Sequence, residues 1–312
     1  MKKQLDNAFF LQKALETSLS KERIEGLALA FSGGKDSTLM AEMLYRLQIP
    51  FVAFHFNHHW RGEISNQDAA FVQDWCSDRN ISCYVGNGSG PSSEEKARTE
   101  RWTFFLEKSK ELGISHLLLA HHGDDLVETF LWQLFRGVGP EGLAGLQPRR
   151  EREHLIILRP WFNFFSTEIE ACCQLWKLEW REDRSNQDTR YTRNKLRHQI
   201  IPWLTEQIER NIHPPILRLA NLMMEENDFW AKQMPESWPQ QASISWLREQ
   251  PLPLQRRWIK GWLHSQGIKD ISFEDVEATR NLLEKLKPAR VNLSHGFWCR
   301  RTSGKLWIES PK

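Results

Sequence analysis

Ser32-Gly33-Gly34-Lys35-Asp36-Ser37 places two hydroxyls, two glycines, one lysine and one carboxylate within six residues. Paired glycines let the backbone turn tightly and approach a ligand closely. If a helix opens here, its first amide N–H groups are unpaired and form an anion nest. Lys35 adds a positive charge, and Ser32 and Ser37 add hydroxyl donors, so the chemistry indicated is the holding of phosphate. Asp36 would repel phosphate by itself. It makes sense in such a nest if it holds Mg²⁺, which bridges phosphate oxygens. The spacing matches neither the G-x-x-x-x-G-K-[ST] loop nor the G-x-G-x-x-G turn. A second group is His121, Asp125 and Glu128, spaced i, i+4 and i+7, which share one face if all three lie on a helix. Two carboxylates on one face suit an ammonium group or a metal ion, and both readings stand at this point. Asp124 suits a helix N-terminus.

The basic residues are clustered although the net charge is only +2. Between Arg184 and His198 lie four arginines and one lysine against a single acid, Asp188. Arg149, Arg150 and Arg152 form a second cluster, and Arg300, Arg301 and Lys305 a third. Such patches hold a polyanion at one face; the plainer alternative is a solvated surface.

The elements that must position these residues are legible from periodicity. Short apolar runs at 27–31, 51–56, 82–85, 116–120 and 155–158 alternate with helical patterns. That alternation predicts an α/β fold with a doubly wound, parallel five-stranded, Rossmann-like sheet. The anion loop follows the first strand and the His121–Glu128 segment follows the fourth, and ligands in such sheets sit at the carboxyl ends of strands. Beyond residue 160 the pattern turns helical, over 167–181 and 192–209. Pro214-Pro215 then breaks it, and the tail from Arg290 reads as a hairpin. The organisation expected is a catalytic domain over 1–215 and a smaller α+β domain, with a linker helix, over 216–312.

Composition excludes other classes. A chain 40% hydrophobic and 26% charged folds as a globular protein and is not disordered. No apolar run is long enough to span a bilayer, and the first twenty residues read as an amphipathic helix rather than a signal peptide. Five cysteines without a C-x-x-C pair fit a reduced, cytoplasmic protein and argue against zinc or an iron–sulfur cluster.

These segments together resemble the tRNA(Ile)-lysidine synthetases, within the PP-loop ATP pyrophosphatases. SGGKDS carries only the superfamily. More specific are AHHGDDLVET from Ala120, FRGVGPEGLAGL from Phe135, EKARTERWTFF from Glu95, and WREDRSNQDTRYTRNKLRHQIIPWL from Trp180, in that order along the chain. The resemblance is to the short form of the family, with one appended domain. It implies ATP and Mg²⁺ as cofactors, L-lysine and a CAU-anticodon tRNA(Ile) as substrates, and a ligation through an adenylated tRNA. It implies that Ser32 to Ser37 bind ATP, with Asp36 on Mg²⁺, and that Asp125 and Glu128 take the substrate lysine. Arg101 would meet a phosphate or the lysine carboxylate, His121 would orient the site or relay a proton, and Arg190, Arg193 and Arg197 would contact tRNA. A homodimer is left open. The competing readings are a tRNA 2-thiocytidine synthetase, which the missing C-x-x-C disfavours, a PP-loop amide-forming ligase related to NAD or GMP synthetase, which the arginine-rich segment at 184–198 disfavours, and a tRNA-binding scaffold without catalysis, which the intact Asp36 and the Asp125–Glu128 pair disfavour.

Overall fold

A computed structural model of the chain describes residues 2–90, 92–182, 192–284 and 289–311. They form two compact units, 1–227 and 228–312. Arg190 lies outside the described residues.

The first unit opens with α1 (Lys2–Ser20), then alternates β1 (Leu27–Ala30), α2 (Lys35–Arg46), β2 (Val52–Asn57), α3 (Glu63–Ser77), β3 (Cys83–Asn87), α4 (Glu94–Leu112), β4 (His116–Leu118) and α5 (Gly123–Phe135). A short α6 (Pro140–Leu143), a hairpin of β5 (Arg149–Arg152) and β6 (Leu155–Leu158), and α7 (Ser166–Leu175) follow. The sheet order is β3-β2-β1-β4-β6-β5. The five apolar runs are its five parallel strands, with β1 between β2 and β4. The sixth strand, β5, pairs antiparallel with β6 at the edge. Its sequence, Arg-Arg-Glu-Arg, has no apolar alternation to betray it, because an edge strand needs none and charge there blocks pairing with another chain.

Helices cover both faces. On one, Leu11 and Leu15 of α1, one turn apart, are fully buried with Leu39, Met40 and Leu44 of α2 and Ile169 and Cys172 of α7. Trp161 is buried in the same cluster and its indole N–H donates to the Leu11 carbonyl at 3.1 Å. On the other, Trp102 and Phe105 of α4 pack on Phe54, Leu117 and Leu155. The chain therefore winds outward from β1 in both directions. The crevice between the ends of β1 and β4 is the switch in strand order where ligands bind in open sheets.

The helix expected over 167–181 ends at Leu175, and Lys177 turns left-handed at φ 52°. The helix expected over 192–209 is three pieces: α8 (Thr192–Lys195), a π turn at Leu196–Ile200, and α9 (Ile201–Gln207). Pro202, in the first turn of α9, lacks an N–H, and the wider turn before it accommodates that loss. Pro214 and Pro215 do not break a helix: they stand in the first turn of α10 (His213–Lys232), where a missing N–H costs nothing. The boundary expected near 215 thus falls in a helix start, while the compact units divide between Asn227 and Asp228.

In the second unit, α11 (Ile244–Glu249), α12 (Leu252–Ser265) and α13 (Phe273–Asn281) accompany a four-stranded antiparallel sheet. Its strands are β7 (Ala242–Ser243), β8 (Arg290–Asn292), β9 (Trp298–Thr302) and β10 (Lys305–Glu309), in the order β7-β10-β9-β8. Ile259, Trp262 and Leu263 of α12 are fully buried with Cys299 and Leu306 of the sheet. The expected hairpin is β9–β10. Ser303 and Gly304 both have positive φ, 51° and 76°, as a two-residue hairpin loop requires. No helix among the described residues is long and apolar enough to cross a membrane.

Candidate active site

The anion loop leaves β1 at Phe31, whose N–H donates to the Phe54 carbonyl at 2.9 Å. Gly33 then takes φ +84°, where a side chain would be strained, and an added Cβ would press on Val72 at 3.2 Å. The Ser32 and Ser37 hydroxyls bond each other at 3.0 Å, and the Gly34 N–H donates to Ser32 Oγ at 3.3 Å. From outside, the Arg181 N–H donates to the Gly33 carbonyl at 2.9 Å, while its side chain holds Asp68 at 2.9 Å. Gly34 caps α2 without a side-chain bond, which leaves first-turn amides to an anion. Lys35 opens the helix, and its Nζ reaches Asp36 Oδ1 at 3.3 Å and donates to Ser166 Oγ.

The segment after β4 is built differently from the single helical face expected. The backbone stays extended through His122 (φ −131°, ψ −179°), and α5 begins only at Gly123. Neighbouring side chains in extended backbone point to opposite sides, and the two histidines do so. His122 faces the anion loop, with Nε2 3.7 Å from Asp36 Oδ2 and Nδ1 3.1 Å from Asp124 Oδ2. His121 faces away and accepts from Arg159 Nε at 3.1 Å. His121 therefore does not share a helical face with Asp125 and Glu128. The helix-start role weighed for Asp124 goes to Asp125, whose Oδ2 accepts the His122 N–H at 2.9 Å. Asp124 instead accepts the Ser166 N–H at 2.7 Å and stands 3.3 Å from His213 Nε2.

Asp125 and Glu128, one turn apart on α5, are both buried and both hold two guanidiniums. Arg193 reaches Asp125 at 2.7 Å and Glu128 at 2.8 Å; Arg197 reaches them at 3.2 and 2.5 Å. The wider turn at Leu196–Ile200 carries Arg197 onto α5. Arg193 and Arg197, expected from sequence to reach tRNA phosphate, are thus tied to these carboxylates. Arg101, on α4, has no ion pair among the described residues; burial, then Arg98 and Arg193, lower its pKa.

Electrostatics follow this arrangement. Burial by itself would raise Asp125, but His122, Arg193, His121 and Arg197 outweigh it and hold the carboxyl below its ordinary value. Burial would lower His122, yet Asp125, Asp124 and Asp36 raise it above the ordinary histidine value. His121 goes the other way: burial pushes it down to about 3, against Asp125 and with Arg159, Arg193 and Arg101. Its Nδ1 accepts from an arginine, which cannot accept in return, so the neutral ring carries its proton on Nε2.

One cavity of about 300 Å³ joins the two halves. Lys35 and Ser166 line one side, Glu128, Arg197 and Ile201 another, and His122, Asp124 and His213 lie between. It can take a phosphate at the loop and a cationic group at the acids. His122, Ser166, His213, Arg159 and Arg181 were not singled out from sequence. Only the His121-His122 doublet after an apolar run could have hinted at two oppositely directed rings.

An anion loop after the central strand of a parallel sheet, with buried acids after the neighbouring strand, defines an ATP-using enzyme of the PP-loop class. The family described as the PP-loop domain matches residues 8–204, and the TilS substrate binding domain matches residues 243–307. A tRNA(Ile)-lysidine synthase from Thermosynechococcus vestitus is 30% identical, over 91% of this chain and 85% of that relative. One from Caldanaerobacter subterraneus is 28% identical over 93% of this chain, which spans 66% of that relative's length. A longer one from Clostridium perfringens is 32% identical, and the chain spans 55% of its length. The chain belongs to the tRNA(Ile)-lysidine synthase family and is an ATP-using ligase. A U34-tRNA thiolase from Methanococcus maripaludis, with a TM-score of 0.53 over 69% of this chain and 76% of that one at 16% identity, shares the fold alone.

Proposed function

We propose that the protein joins L-lysine to C2 of the wobble cytidine of a CAU-anticodon tRNA(Ile), in two steps. The C2 oxygen attacks the α-phosphorus of ATP and pyrophosphate leaves. The ε-amino group of lysine then attacks C2, loses a proton, and the C2–O bond breaks as AMP departs with the oxygen. C2 is a poor electrophile until its oxygen becomes part of a good leaving group, and adenylation supplies one.

Lys35, Ser32, Ser37 and the first-turn amides of α2 are suited to the departing pyrophosphate. Mg²⁺, when bound, neutralises triphosphate charge, and Asp36 is the residue of this chain that would hold it. One carboxylate plus phosphate oxygens and water satisfies magnesium, and the Asp36 side chain is 29% exposed beside the anion loop. Asp125 and Glu128 would take the lysine ammonium. The observation that carries the reading is that this buried pair already holds two cationic side chains, and that its Glu128 lines a cavity shared with Lys35. Lysine would take over part of that network and release guanidinium of Arg193 or Arg197 toward RNA phosphate. His121 fits an orienting role, because its Nδ1 accepts from Arg159 and its Nε2 is left with a proton to donate. Arg101, with no ion pair among the described residues, would meet the lysine carboxylate or a phosphate.

A pyrophosphate-release assay tests this. Release is expected to require both ATP and CAU-anticodon tRNA(Ile), before any lysine is added. Release that is independent of tRNA would remove the tRNA base as the adenylated group.

A further inference from the structure

Several arginines of the first unit are matched with acids. Arg46 pairs with Glu42, Arg61 and Arg181 with Asp68, Arg149 with Glu22, and Arg193 and Arg197 with the catalytic acids. Among the described residues others are not, Arg136, Arg210 and Arg218 included, and one group besides. Arg98 and Arg101 on α4, Arg150 and Arg152 on β5, and Arg159 after β6 have no ion pair among the described residues.

These residues lie together. Arg98 and Trp102 are four apart on α4 and share its face, and the Arg152 guanidinium lies 4.4 Å over the Trp102 ring. Arg150 and Arg152, two apart on β5, share one face of the sheet. The Arg159 N–H donates to the Pro148 carbonyl at 2.8 Å, just before β5 begins. Arg159 is 4% exposed, and among the described residues its side chain has only neutral acceptors, His121 Nδ1 and the Gln147 carbonyl. Burial, then Arg150 and Arg98, pull it down to about 10, and the attraction of Asp125 ranks behind all three.

Like charges gathered around a buried, unmatched guanidinium are costly unless an anion completes them. Arg159 bonds His121, whereas Asp36 of the anion loop lies by His122, so the group meets the site at a different histidine from the loop. The charge also runs outward, from buried Arg159 to exposed Arg98 and Arg150, farther than one carboxylate needs.

We propose that Arg98, Arg150 and Arg152, backed by Arg159, form a phosphodiester-binding face on the catalytic unit that holds the RNA strand leading into the active site. This rests on the reading of tRNA as substrate. The residues of this face are distinct from Arg193 and Arg197, which are paired with Asp125 and Glu128. Arg–phosphate contacts are frequently bidentate and position the backbone without reading bases.

The test is tRNA binding by the full chain across a series of salt concentrations, comparing wild type with the double variant Arg98→Ala/Arg150→Ala. Both side chains are exposed, and equal thermal midpoints would verify the fold. The slope of log K against log salt should lose about 0.7–0.9 for each residue removed, with ATP affinity and the KM for lysine unchanged. Arg150→Glu should weaken binding more than Arg150→Ala. An unchanged slope and affinity in the double variant overturns the proposal. So does a raised KM for lysine with tRNA binding intact, which would assign the group to the amino-acid carboxylate. If the wild-type chain itself binds no tRNA, the functional reading fails first, and the two failures are told apart.

Discussion

Asp36 carries the most exposed commitment at the level of single residues. It stands in the first turn of α2, where a carboxylate gains from the helix dipole whether or not it binds metal. Asp36→Asn keeps the shape and removes the charge. Pyrophosphate release is expected to fall by at least two orders of magnitude, an electrostatic loss of about 3 kcal/mol, while the urea midpoint moves little. For the acids, Glu128→Gln should raise the KM for lysine about tenfold to a hundredfold, as expected for a charge-assisted bond of roughly 1.5–3 kcal/mol, and adenylated tRNA should still form. Glu128→Gln should also cost about 1–3 kcal/mol of stability, since its two arginine partners are partly exposed and water screens them.

His121 gives the pH dependence. It is lowered to about 3 in the fold, by burial above all, against about 6.5 in the unfolded chain. Between those values the unfolded chain binds the extra proton, so this histidine's contribution is full above about pH 6.5 and is lost as pH falls toward 3. The imidazole resonances of His121 should stay unshifted from pH 8 to pH 5. A midpoint inside that window would contradict both its burial and the assigned ring proton.

At the level of elements, the anion loop and the parallel strands were legible because each is a local pattern. An apolar run, a glycine pair and a helix start need no distant partner to be recognised. Gly33 shows the constraint directly: Gly33→Ala should destabilise the protein by about 1–3 kcal/mol and weaken ATP binding, because φ +84° and the contact with Val72 both oppose a methyl group. Calorimetry with and without ATP checks it. What was not legible depends on tertiary context. The i, i+4, i+7 spacing of His121, Asp125 and Glu128 suggested one face, but the extended turn at His122 sends His121 to the far side. Arg193 and Arg197 read as an RNA-facing basic run, since nothing in a basic run announces that two buried acids lie 65 to 72 residues upstream. β5 was hidden because its charges suit an edge.

At the level of the whole molecule, the chain comprises a unit ending at Asn227 that holds the PP-loop domain match and a smaller unit matching the TilS substrate binding domain. The division was legible as a change of pattern, but its place was not: Pro214-Pro215 looks like a break and is a helix start. The elongator methionine tRNA shares the CAU anticodon, so selectivity requires contacts away from the reacting base. We expect a chain ending at Asn227, once shown to be folded, to keep ATP affinity and to lose preference for tRNA(Ile) over that methionine tRNA. Full preference in the shortened chain would move the reader into the catalytic unit.

The central claim is that this cavity joins lysine to a tRNA base. Mass analysis of the nucleosides from a CAU-anticodon tRNA(Ile), incubated with the full chain, ATP and isotopically labelled lysine, tests it most directly. The predicted result is labelled lysidine in place of one cytidine, dependent on ATP and absent with Asp36→Asn. An unmodified cytidine, with tRNA bound and ATP present, would contradict the account.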